Sequence, residues 1–161
     1  MPESSLHTIL MFRTHGRLLA VPLDAVREVV PAFEVLHAPG LASTIAGMIS
    51  LRGEVLPVID TAVLIGEEVT LLQPQHKFII VRASRQSIAF LVDSVEDLVA
   101  LEQNASVDPM AGNGAVLFKG VVSVEEEMVL ILDIDACYGA ELTLLPLEVN
   151  GAKTKLEGQY S

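Results

Sequence analysis

A chain of 161 residues, 51% apolar and carrying a net charge of −11, has room for one domain or two small halves on a common core, and needs no metal or disulfide staple. That charge argues against nucleic acid and anionic membrane surfaces, which are held by Lys and Arg, and leaves a protein or a cationic ligand as the natural partner. With no Trp and 4% aromatics, the core must be aliphatic, and the Val and Ile in it favour strands.

From the N-terminus, MPESSLHTILMFR has no basic segment followed by an apolar one, so it does not read as a secretion signal. Short apolar runs then place strands near 8–14, 18–23, 26–30, 47–52 and 54–60, with a turn at His15-Gly16. Pro22 falls near a strand end, where a missing N–H costs nothing. The stretch 37–47 is expected to be a loop with one helical turn. Val35–Leu51 is the longest run without Asp, Glu, Lys or Arg, and it is too short to span a bilayer. Further strands are expected near 77–82, 87–92, 95–100, 119–124 and 128–133, with a turn at Ser84-Arg85 and a polar, glycine-rich loop at 104–115. Leu142–Val149 is apolar enough to dock, and 150–161 reads as a flexible tail. Cys137 is the only cysteine, which suits a reducing, cytoplasmic compartment.

The two sets of five strands are related. Shifted by 69, residues 9–30 match 78–99 without a gap, with Arg13/Arg82, Ala20/Ala89, Asp24/Asp93 and Val26/Val95 coinciding. A shift of 73 matches 47–66 to 120–139, with Gly47/Gly120, Ser50/Ser123, Glu54/Glu127, Asp60/Asp133 and Gly66/Gly139 coinciding. The order of apolar runs and turns matches too, which marks an internal duplication. Two sets of five short, mostly antiparallel strands suggest two small barrels, because closure removes exposed edges.

The second copy serves as a control for the first. One hairpin tip reads Leu51-Arg52-Gly53-Glu54 and its mate Val124-Glu125-Glu126-Glu127, so the charge is inverted at equivalent places. Gly53 suits the positive φ of a short hairpin turn. Between Glu28 and His76, Arg52 is the only Lys or Arg. It is either a solvated side chain paired with Glu28 or Glu54, or the chain's working end.

These residues resemble a family. The run IAGMISLRGEVLPVID, preceded by VPLDAVREVV and followed by FIIVRASRQSIAFLVDSVEDLV, is similar to the CheW-like family of bacterial chemotaxis adaptors. Their pattern is a V-x-E-I/V strand, a G-V/M-x-N-L-R-G-x-x-x-P-V-I-D block and a later V-D-x-V strand. The resemblance runs from Leu10 to Gly139; Ser50 replaces the common Asn, and Thr61 the usual Leu. It implies an all-β fold of two intertwined five-stranded SH3-like barrels sharing a hydrophobic interface, with short helical turns in the connections. The chain would be one domain over 8–149, with lobes near 8–70 and 77–140. It also implies a non-catalytic adaptor between the cytoplasmic tip of a chemoreceptor and the regulatory domain of a CheA-type histidine kinase, recruited to membrane receptor arrays without inserting. The implied receptor surface is Arg52 and Glu28, with Val26, Gly47, Leu51 and Gly53. The implied kinase contacts are barrel-edge residues among Val95, Leu98, Val99, Val121 and Val122. An adaptor of a surface-motility or pilus pathway fits the same residues.

The remaining alternative is a small-ligand sensor or enzyme with a pocket between the lobes, and the residues give it little. His7, His15, His37 and His76 read as scattered surface histidines, with no i, i+4 pair and no HExxH spacing. Asp24/Asp93 and Asp60/Asp133 recur as repeat mates, which suits turn and strand-end hydrogen bonds. Cys137 aligns with Leu64, a core position. Gly112-Asn113-Gly114 lacks the third glycine of a nucleotide fingerprint, and Glu125–Glu127 reads as a solvated tip. No cofactor, metal or catalytic residue is expected.

Overall fold

The computed structural model describes residues 6–41, 45–102 and 117–138. Ten strands run along the chain: β1 (Leu6–Thr14), β2 (Arg17–Pro22), β3 (Val26–Pro31), β4 (Ile45–Leu51), β5 (Glu54–Asp60), β6 (Lys77–Arg82), β7 (Ser87–Val92), β8 (Ser94–Glu102), β9 (Phe118–Val124) and β10 (Glu127–Leu132). The apolar runs and the turns between them fall where the sequence places them. The loop expected over 37–47 is shortened by strand pairing that begins at Ile45; its residues 37–41 contain no helical turn, and 42–44 lie outside the described residues. The loop at 104–115, the docking segment Leu142–Val149 and the tail 150–161 lie outside the described residues.

The strands form two five-stranded sheets, one ordered β8-β1-β2-β10-β9 and the other β3-β6-β7-β5-β4. Advancing each strand of the second half onto its mate in the first converts one order into the other. Pairing types follow the same rule. β10 runs parallel to β2 as β5 does to β7, and the other pairs are antiparallel. Even the bulges repeat: Arg27 and Glu96 occupy one kind of register shift, Ala46 and Lys119 the other. The halves exchange strands, so each sheet takes two strands from one half and three from the other. The sheets therefore do not follow a cut between residues 70 and 77.

Exchange explains the near-continuous apolar runs. On β1, Ile9 and Met11 face the first barrel's interior, while Leu10 and Phe12 face the other sheet. On β6, Phe78 and Ile80 fill the second barrel, while Ile79 and Val81 join the shared layer. Strands buried on both faces lose the alternation of half-exposed strands. The shared layer also holds Leu19, Val21, Ile59, Ile88, Phe90, Leu132 and Cys137, which joins both sheets into one core. Cys137 is buried, as its repeat mate predicts, and burial followed by the nearby charge of Asp133 pushes its thiol up to about 12.

Short helical pieces fill the connections: a 3-10 turn at Leu23–Ala25, the helix α1 (Thr61–Leu64) and helical residues 134–138. Asp60 caps α1, its carboxylate accepting from the Ala62 N–H at 3.0 Å. The same buried carboxylate accepts from the backbone N–H and the hydroxyl of Thr70, each at 2.7 Å, and so ties down the chain after the helix. Asp133 likewise caps its helical stretch through the Ala136 N–H, and Asp93 accepts from the His15 N–H. Three of the four repeat-mate aspartates thus make the expected turn and strand-end bonds.

Candidate functional site

The two hairpin tips share a backbone. Arg52 and Gly53 have φ of 50° and 85°; Glu125 and Glu126 have 49° and 71°. Both are two-residue turns with consecutive left-handed residues, the turn whose twist suits adjoining antiparallel strands. Gly53 meets that demand as expected, whereas Glu126 meets it with a side chain attached.

What surrounds each tip differs. The sheet holding β4 and β5 ends on one side at β3 and on the other at β4, and two devices span the gap between them. At one end, Leu36 and Met48 exchange backbone hydrogen bonds, both at 2.8 Å. At the other, side chains of β3 reach the hairpin tip: Arg52 pairs with Glu28, and Arg27 with Glu54 at 3.0 Å. Arg27 is the extra residue of its bulge, and bulges turn neighbouring side chains toward the same side, so residues 27 and 28 both reach the tip. Arg27 also donates to the Ser87 hydroxyl at 2.9 Å. In the other sheet Glu96 occupies the bulge, and Arg13 bridges it at 3.6 Å to Glu127 at 3.2 Å. One tip therefore projects a guanidinium steadied from beneath, and its mate projects acids.

The Arg52 side chain is 63% exposed and that of Glu28 29% exposed. Glu28, not Glu54, is its partner. The carboxylate engages one edge of the guanidinium and leaves the remaining donors facing water. Val26 and Leu51 are half-buried, Val26 packed against the shared core and Leu51 against the second barrel's core, and Gly53 is exposed. Gly47 is different: it is buried, and a Cβ there would lie 2.5 Å from both the Leu36 carbonyl oxygen and Val35 Cγ1. Its visible role is to let residues 35–36 lie against β4.

Of the residues expected to meet a kinase, Leu98 is exposed on edge strand β8 and Val121 is half-buried on edge strand β9. Val95 packs against the shared core, and Val99 against the first barrel's core. Val122 is 4% exposed inside that barrel, because its strand position points inward, so the folded chain does not offer it to a partner. His76 also departs from expectation. It is 7% exposed, its Nδ1 accepts from the Gln73 N–H at 3.0 Å, and its carbonyl accepts from the Ala32 N–H at 3.0 Å. Among the described residues no three His, Cys, Asp or Glu side chains converge as a metal site.

Sequence reasoning missed Arg27 and Thr70. An arginine beside Glu28 in the strand, and an aspartate followed by Thr-Ala-Val-Leu, a ready cap, were the available signals. Asp135 at the start of the helical stretch was also missed. Hydrogen bonds from the Ser84 hydroxyl and N–H hold its carboxyl below the usual range.

Two strand-exchanged five-stranded sheets related by an internal repeat, with oppositely charged hairpin tips, define the class of fold. A model of the CheW-like domain matches residues 8–141, and the chain belongs to that family. It is 26% identical over 139 residues to the Chemotaxis protein CheW of Rhizobium meliloti, covering 83% of this chain and 88% of that one. A shorter match, 29% identical over 84 residues, covers 52% of this chain and 47% of Protein PilI of Pseudomonas aeruginosa. In fold it is similar to the scaffolding protein CheW of Thermoanaerobacter tengcongensis, with a TM-score of 0.75 at 22% identity, over 84% of this chain and 90% of that one. The two intertwined barrels that the resemblance implied are those seen here, and the chain is a chemotaxis coupling adaptor. Among the described residues, no helix is long and apolar enough to cross a membrane.

Proposed function

We propose that the chain links the cytoplasmic tip of a chemoreceptor to the regulatory domain of a CheA-type histidine kinase, without catalysis of its own, and joins the membrane receptor array through those partners. The observation that carries this reading is the Arg52 tip: an exposed guanidinium, pre-oriented by Glu28, on the one hairpin of the repeated pair that is cationic. A planar fork of donors suits a carboxylate or a backbone carbonyl on a partner helix, and restraint before binding lowers the entropy lost on contact. Val26 and Leu51 supply half-buried apolar surface. Gly47 and Gly53 serve the site through its backbone, one by close approach and the other by its turn. For the kinase, Leu98 and Val121 are the accessible members of the edge set, with Val95 and Val99 packed behind. The longer match to a chemotaxis protein favours receptor coupling over the pilus pathway.

The test is Arg52→Ala in a receptor co-sedimentation assay with the kinase present. Receptor affinity falls about 5- to 150-fold, corresponding to about 1–3 kcal/mol for an interface anchor, while the unfolding midpoint holds. Undiminished affinity in a folded variant rejects Arg52 as the anchor.

A further inference from the structure

An apolar hollow lies away from the Arg52 tip. It holds about 590 Å³ and lies between residues 34–37 and residues 69–72, floored by Ile45, Val63 and Leu91. A second hollow of about 540 Å³ adjoins it, sharing Val63, Val69 and Leu71. Both walls are fastened. Phe33 sets its ring edge-on to Phe78, with centroids 5.2 Å apart, and Leu36 is bridged to Met48. Opposite, Thr70 is clasped by Asp60, which holds up Val69 and Leu71, 65% and 79% exposed. Apolar side chains are thus fixed in water on a wall the fold goes to some length to anchor.

Charge selects the occupant. Glu34, Glu67 and Glu68 line the two hollows, and neither Lys nor Arg does so among the described residues. An anionic lipid surface is repelled, and so is the same face of a second copy, which an isologous dimer would set acid against acid. Strand addition is blocked on this side, because the edge of β4 is already bonded to Leu36 at Met48. We propose that this groove seats an amphipathic helix of another protein, its apolar stripe in the hollow and Lys or Arg residues flanking the stripe over the acidic rim. The site is separate from the Arg52 tip and does not depend on the reading of that tip.

The test uses the full chain and three fluorescein-labelled 18-residue peptides in about 0.15 M salt, where surface charges are partly screened. One is Leu/Lys with a helical apolar stripe, one is Leu/Glu with the same stripe, and one is Leu/Lys with the order scrambled. The striped Leu/Lys peptide binds at least tenfold more tightly than either other peptide. Leu71→Asp abolishes that advantage although it adds a negative charge, and Arg52→Ala leaves it intact. Equal binding of the scrambled peptide, or undiminished binding by Leu71→Asp, overturns the proposal. So does a dimer in sedimentation that Leu71→Asp dissolves, which assigns the groove to a second copy. Binding seen only after deletion of residues 142–161 overturns it in favour of the chain's own end.

Discussion

Among the described residues, Asp60 is where one side chain holds the most backbone in place, and Asp60→Ala is the most informative single change. The carboxylate is 1% exposed and accepts three hydrogen bonds: from the Ala62 N–H at 3.0 Å and from the Thr70 N–H and hydroxyl at 2.7 Å each. Losing the cap costs about 1 kcal/mol, and hydrogen bonds to a charged acceptor contribute about 1.5–3 kcal/mol each. Thr70 is half-buried, so its freed donors regain water in part, and the expected net loss is about 3–4 kcal/mol. Thr70→Val keeps the N–H bond and loses only the hydroxyl, about 1–2 kcal/mol. Urea unfolding of the two single variants and the double variant closes the cycle. The double variant should fall short of the sum by about 1–2 kcal/mol, because the hydroxyl has nothing to lose once the carboxylate is gone. Amide exchange at Thr70 should quicken in Asp60→Ala. Strict additivity, or a loss under about 1 kcal/mol for Asp60→Ala, refutes the clasp.

The two tips invite a reciprocal pair: Glu126→Gly relieves a side chain at φ 71° and raises stability by up to about 1 kcal/mol, while Gly53→Ala lowers it by a similar amount, both read by thermal melts. Gly47→Ala forces a Cβ against the Leu36 carbonyl and should cost about 2–4 kcal/mol in urea unfolding, with loss of the protected Leu36 and Met48 amides. Cys137 supplies a pH signature. Its thiol ionises near 9 when unfolded and is pushed up to about 12 when folded, so between those values the unfolded chain binds fewer protons. Stability due to this group is therefore full below pH 9 and lost toward pH 12, at about 1.4 kcal/mol per pH unit. Cys137→Ala should remove that slope from a stability–pH series, and the native thiol should react with a disulfide reagent only as fast as the chain unfolds.

The strands, the duplication and the Arg52 tip were legible because each leaves a local mark: an apolar run, a matched spacing, a charge where its repeat mate has the opposite one. Exchange of strands between the halves leaves no such mark in the residues, since β1 has the same apolar pattern whichever partner it pairs with; here it came from the family resemblance. The role of Gly47 was obscured in the same way. Its need to lack a Cβ arises from residues 35–36, which a glycine between apolar neighbours does not reveal. Val122 and His76 show the limit for single positions, because a bulge or a loop crossing decides which face is covered. Arg27 escaped notice because, read as a regular strand, residues 27 and 28 point to opposite faces; the bulge brings both to the hairpin.

The exchange has a consequence for how the chain is made. Leu10 pairs with Leu98, so a strand synthesised early waits 88 residues for its neighbour. By the time β5 is complete, two strands of one barrel and three of the other exist, and neither set closes. The nascent half displays unpaired apolar edges, the kind that chaperones shield and that aggregate when left bare. Two separately expressed halves, divided between β5 and β6, should be insoluble alone and recover the native fold when produced together.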